Sequence, residues 1–195
     1  MQGKNIFLTL FAVFFIFLTF TGCDQDYTPK PRGYFRIDFP EKAYTKFDTT
    51  YPYSFEYPVY AKIVPDKRPT SEPYWMNIDF PHYQGTIHIS YKPVNENLTE
   101  FLDDSRAFVV KHIPKADAIE DSLIYRPEDR VFGLIYYING TQAASPCQFF
   151  VTDSSSGFLR GALYFNVPPN NDSLAPVIDY ILEDIRHMLK TFKWK

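Results

Sequence analysis

The order of patterns along this 195-residue chain predicts an α+β fold: a single-domain sandwich, mainly antiparallel sheet covered by two amphipathic helices. Three observations lead there. Short alternating apolar stretches, set off by prolines, fill the first half. Two stretches of helical period follow, one mid-chain and one at the end. The strands before and between them are joined by turns too short for parallel crossovers.

Ten of the 16 prolines lie between Pro29 and Pro93, so strands there must be short. Tyr53, Phe55 and Tyr57 alternate with Ser54 and Glu56, a half-buried strand that Pro58 stops. Trp75 to Phe80 is a second strand, ended by Pro81. Thr86 to Tyr91 is a third, with Ile87, Ile89 and Tyr91 on one face and His88 on the other. The period then changes. Asn97-Leu98-Thr99-Glu100 reads as a capping box, Asn accepting from the first turn and Glu reaching back. Leu98, Phe101, Leu102, Phe108 and Val109 continue at helical spacing, and Pro114 closes the helix after His112.

Val131 to Ile138 is almost continuously apolar, which predicts a central strand covered on both faces. Asn139-Gly140 supplies a turn suited to positive φ. Gln148 to Thr152 and Phe158 to Phe165 form a hairpin around Asp153-Ser154-Ser155-Ser156-Gly157. In the last element Leu174, Val177, Ile178, Ile181, Ile185, Met188, Leu189 and Phe192 make one apolar stripe. Glu183, Asp184, Arg186 and Lys190 fall on the opposite face, Asp172 or Ser173 is the expected cap, and Pro176 falls in the tolerant first turn. The order also resembles the Mog1/PsbP-like group, a likeness of fold that confers no function.

The N-terminus sets the compartment. Lys4 precedes an apolar run from Ile6 to Phe20, shorter than the ~20 residues a spanning helix needs. Phe20-Thr21-Gly22-Cys23 then offers a small residue before a thiol, as a lipoprotein signal requires. The expected organisation is a signal peptide over 1–22, a lipidated Cys23 with a polar, Pro-containing tether over 23–31, and an α+β envelope domain over 32–195. The membrane contact is the lipid anchor itself. Asp24-Gln25-Asp26 can steer sorting between membranes, without selecting one.

Composition excludes several functions. Removing Lys4 takes the net charge from −3 to −4 and leaves no basic stripe, which argues against nucleic acid as a partner. With Cys23 lipidated, Cys147 is alone and reads as a buried small hydrophobe on a strand. His82, His88, His112 and His187 lack the spacing of a metal site, and His112 suits a helix C-terminus. No nucleophile elbow, zinc-protease motif, phosphate loop or paired C-x-x-C is present, so no catalytic residue, metal or cofactor is expected.

Pro29-Lys30-Pro31-Arg32-Gly33-Tyr34-Phe35-Arg36-Ile37 is the most distinctive segment and reads as the start of an edge strand. With Ile87-His88-Ile89-Ser90-Tyr91, Lys115-Ala116-Asp117-Ala118-Ile119, Phe158-Leu159-Arg160-Gly161-Ala162-Leu163-Tyr164-Phe165-Asn166 and Thr191-Phe192-Lys193-Trp194, it makes the chain resemble the GldD-type gliding-motility lipoproteins of Bacteroidetes. The resemblance implies a non-enzymatic envelope component required for gliding. Its expected partners are other proteins of the gliding and type IX secretion apparatus. The family supplies no residue roles to carry over. In a strand Arg32, Tyr34 and Arg36 would project to one side, two guanidiniums flanking a ring, which makes them the candidate partner surface. Their competing role is to deter sheet-edge aggregation. Asp48-Thr49-Thr50, Asp121-Ser122-Leu123 and Asp172-Ser173-Leu174 resemble O-glycosylation acceptor sequences of Bacteroidetes envelope proteins, making Thr49, Ser122 and Ser173 candidate sites.

Two further functions compete with the interaction module. One is a small-ligand or glycan-binding lipoprotein of the periplasm, with a pocket between sheet and helix; the other is an enzyme with an unfamiliar site. A concave pocket holding convergent buried polar groups would favour either, and a flat exposed patch the interaction module.

Overall fold

Antiparallel pairing organises every strand among the residues that a computed structural model describes, 33–34 and 36–195. In chain order come β1 (Tyr44–Phe47), β2 (Tyr53–Pro58), β3 (Lys62–Pro65), β4 (Met76–Phe80) and β5 (Gly85–Pro93). Helix α1 (Leu98–Val110) follows, then β6 (Ala118–Arg126), β7 (Val131–Asn139), β8 (Cys147–Thr152) and β9 (Gly157–Phe165). Helix α2 (Asn171–Thr191) and the two-residue β10 (Lys193–Trp194) complete the fold. A seven-stranded sheet has the order β3-β4-β5-β9-β8-β7-β6, and a smaller sheet the order β1-β2-β10.

Helix α2 is the centre of the molecule. Its apolar stripe, Val177, Ile178, Ile181, Ile185, Met188 and Leu189, shares one core with Ile78, Ile87, Ile89, Val151 and Leu163 of the large sheet. Tyr53 and Phe55 of β2 belong to the same core, so α2 is held between the two sheets. Helix α1 lies on the other face of the large sheet, where Phe101 meets Phe158 at 5.5 Å and Val109 packs with Ile138. The expected α+β sandwich with two covering helices is what forms. The helices take opposite faces.

Polar ties fix the ends. Arg126 closes β6 onto the C-terminus of α2, donating to Leu189 O at 2.7 Å and Phe192 O at 2.8 Å. Asp184 is 1% exposed and lies inside the structure, not on the solvent face where helical periodicity puts it. It accepts from Lys42 Nζ at 2.7 Å, Tyr44 OH at 3.0 Å and Tyr60 OH at 2.7 Å. Burial first, and then hydrogen bonds to Tyr180 and Asp184, push the Tyr60 hydroxyl far above its ordinary value.

Several local expectations are corrected. Asn97 does not cap α1; its Oδ1 accepts from Asn95 N at 2.8 Å, and the helix begins without a side-chain cap. Asn170 caps α2, while Asp172 accepts from Thr141 Oγ1 at 2.8 Å. Pro176 is the sixth residue of α2, beyond the first turn. No strand forms at 36–40, and pairing starts at Tyr44. The apolar strand over 131–139 is second from the sheet edge, not central. Gly140 does take positive φ (148°), and a Cβ there would lie 2.4 Å from Lys115 O. Cys147 is fully buried on β8, and burial pushes its thiol up to about 12, which removes it from thiol chemistry.

Candidate functional site

The large-sheet face turned from α2 is only partly covered by α1, and an open region lies to either side. Towards β5 and β9 is a cleft of about 560 Å³. Its floor comes from alternate residues of the two strands, including His88, Arg160, Ala162 and Tyr164. Phe101, Asp104, Ser105 and Phe108 of α1 make one wall, and Arg68 and Trp75 of the β3–β4 connection make the other.

Arg160 is the unusual group. It interrupts an otherwise apolar strand, donates from Nη2 to Gln148 Oε1 at 2.5 Å, and lies 4.4 Å from the Phe108 ring centroid. Among the described residues it has no carboxylate within ion-pair distance. Burial lowers the affinity of its guanidinium for its proton, opposed by Tyr164. The other cations of the cleft are engaged: Arg68 pairs with Asp66 and Lys92 with Glu72. Burial, and then the Arg68 charge, holds the His88 imidazole below its usual value, and its Nδ1 lies 2.7 Å from Asn77 Oδ1. Ser105 is 3% exposed and its hydroxyl has no protein partner.

On the far side of α1 the sheet is bare. β6 is an edge strand of nine residues paired in unbroken register to β7 alone. Leu123 and Tyr125 project from it, 70% and 65% exposed, facing Leu134 and Phe132 across the ladder. Glu120 and Asp121 precede them and are exposed. A smaller polar hollow of about 310 Å³ lies beside the β8–β9 turn, where Asp153 is consumed by accepting from the N–H groups of Ser155, Ser156 and Gly157.

The residues singled out in the sequence are scattered. Cys23 and Arg32 lie outside the described residues. Tyr34 is exposed, and Arg36 is exposed with its Nε 3.0 Å from Asp38 Oδ1. Thr49 is exposed in the bend after β1, Ser122 is exposed on β6, and Ser173 is exposed in the first turn of α2. Of the described ones, Tyr34, Arg36, Thr49, Ser122 and Ser173, none lines the cleft. The competing reading puts a pocket between sheet and helix without naming its residues, although an arginine inside the apolar strand 157–165 is a visible signal for this cleft. No three His, Cys, Asp or Glu side chains gather into a metal-holding group among the described residues. Nor is any described helix long and apolar enough to cross a membrane.

No curated protein matches the chain significantly. Among solved structures, the solution structure of PsbP from the cyanobacterium Synechocystis sp. PCC 6803 is similar over 80% of this chain and 95% of that one, with 13% identity and a TM-score of 0.44. A family model, gliding motility lipoprotein GldD, matches residues 24–194. That match takes in almost everything after Cys23, both sheets and both helices, and the chain belongs to the GldD family of gliding motility lipoproteins.

Proposed function

We propose that this lipoprotein is a non-enzymatic interaction component of the gliding and type IX secretion apparatus in a Bacteroidetes envelope. In this reading it is held in the periplasm by lipid on Cys23 and docks a partner on β6. The observation that carries the reading is the bare strip. A nine-residue edge with Leu123 and Tyr125 in water and no proline or lysine within it is a template for strand addition, and the charges of Glu120 and Asp121 restrict which segment can pair there. The occupant is an extended segment of another envelope protein of that machinery. Main-chain bonds would supply affinity, and apolar side chains over Leu123 and Tyr125 the register. Basic residues of the partner would meet Glu120 and Asp121.

Leu123→Asp combined with Tyr125→Asp tests this. Both side chains are exposed, so the melting temperature should hold, since substitutions at such sites change stability by only ~0.5 kcal/mol. Gliding of a strain carrying the variant as its sole copy should be lost; normal gliding would refute docking at β6. Arg32, Tyr34 and Arg36 are proposed as an auxiliary contact beside the tether. Arg32→Ala with Arg36→Ala should weaken gliding without unfolding the domain, and unchanged gliding would remove these residues from the surface. Lipidation predicts that Cys23→Ala abolishes palmitate labelling, whereas retained label would place the anchor elsewhere. O-glycosylation is proposed at Thr49 and Ser173 ahead of Ser122, since a glycan on Ser122 would obstruct the β6 edge. The α1 cleft favours a second reading, small-ligand or glycan binding.

A further inference from the structure

The geometry points to the cleft between α1 and strands β5 and β9 as a binding site for a small organic monoanion, a carboxylate on an apolar or aromatic body, with Arg160 as its counter-ion. The inference is independent of how the domain docks its partners.

Charge gives the first argument. A recessed cation without a counter-ion is costly, because desolvation penalises the charge and nothing offsets it. Arg160 is in that position, with one neutral acceptor in Gln148 and the face of Phe108 against its plane. A guanidinium presents five donors, and Gln148 takes one hydrogen bond. The remaining fork suits the two oxygens of a carboxylate. Arg68 and Lys92 are already neutralised by Asp66 and Glu72, so among the described residues Arg160 is the one cation of the cleft without a counter-ion, and with the Asp104 carboxylate on the α1 wall the site fits a monoanion better than a phosphate dianion. Asp104 is exposed and solvated, and it forms no ion pair with Arg160, so the guanidinium fork stays open to a ligand.

The rest of the cavity describes the ligand's body. Trp75, Phe101, Phe108 and Phe158 contribute aromatic surface, and Ala162, small at the floor, leaves the room. A volume of about 560 Å³ lies within the ~300–1,000 Å³ typical of small-molecule sites. Ser105 supplies the second sign of a built site: the residue lines the cleft, and its buried hydroxyl has no protein partner, although such groups are nearly always satisfied.

The test is a ligand-observed ¹⁹F titration of the full-length lipoprotein in lipid nanodiscs, with empty nanodiscs as the partition control. The probes are 3-(4-fluorophenyl)propionate and its neutral amide. The acid should bind about tenfold more tightly or better, because hydrogen bonds to a charged partner are worth ~1.5–3 kcal/mol. Arg160→Gln should bring the acid down to the amide's affinity, with the melting temperature held or raised. Arg160→Lys, which keeps the charge and loses the fork, should weaken the acid severalfold, and Lys190→Gln, which removes a positive charge on an exposed face of α2 outside the cleft, should change it little. Equal binding of acid and amide, no binding of the acid at ~10 mM, or an unchanged affinity in both Arg160 variants would overturn the assignment.

Discussion

Replacing Ile181 by Asp should abolish the folded domain, whereas Lys190→Asp on the same helix should shift its melting temperature only slightly. Ile181 is 0% exposed and lies in the core shared by both sheets. The space beside it is tight: a Cβ built on Gly85 would lie 3.2 Å from Ile181 Cδ1. Losing the isoleucine forfeits roughly 1.5–3 kcal/mol of burial. A carboxylate in its place adds a penalty of several kcal/mol, because burial in an apolar core strips it of water. Together these approach the ~5–15 kcal/mol that holds a domain of this size folded. Lys190 is exposed, and its reversal removes only the ~0.3–1 kcal/mol of a cation near a helix C-terminus. Circular dichroism melts of the two variants decide the matter, and equal tolerance would mean that the stripe does not face the core.

Asp184→Ala should be nearly as damaging, by about 3–5 kcal/mol, although helical periodicity puts this residue on a solvent face. Lys42 Nζ sits 2.7 Å from its Oδ1, donates to Tyr180 O at 2.6 Å, and lies 3.3 Å from the Tyr180 ring centroid. Removing the carboxylate leaves Lys42 with the exposed Glu183 at 3.8 Å as its one carboxylate among the described residues, and strips the hydroxyls of Tyr44 and Tyr60 of their acceptor. Much of the cost is the stranded charge, so Lys42→Met combined with Asp184→Leu should recover a large part of the lost stability in a denaturant melt. If the double variant is as unstable as Asp184→Ala, the charge is not what the network manages. The cluster joins the lead into β1 and the turn after β2 to α2, the elements by which the small sheet is attached.

What could be read from the sequence follows from burial. Tyr53–Phe55–Tyr57, Ile87–Ile89 and the stripe of α2 announce themselves because one face is buried and the other is not. β6 was not located, for the same reason in reverse: both of its faces are largely exposed, so Leu123 and Tyr125 carry no alternation a core would impose. β1 and β3 are four residues each, too short to show a period, and the two-residue β10 exists through a pairing partner distant in sequence, Tyr53 opposite Trp194. Asp184 was misplaced because periodicity knows nothing of a segment 140 residues away returning to cover the polar side. The cleft was hidden because Arg160, Ser105 and Trp75 come from three elements; only the arginine breaks a local pattern.

Site-specific photo-crosslinking from position 123 in the living envelope tests the docking account most directly. A photoreactive phenylalanine analogue there sits on the exposed β6 strip, and the same analogue at Lys190 serves as the control on an exposed face of α2. The account predicts one adduct from position 123, with a protein of the gliding or type IX secretion apparatus, absent from position 190 and lost when Tyr125 is replaced by Asp. The same adduct from both positions, or none from position 123 in actively gliding cells, would contradict it.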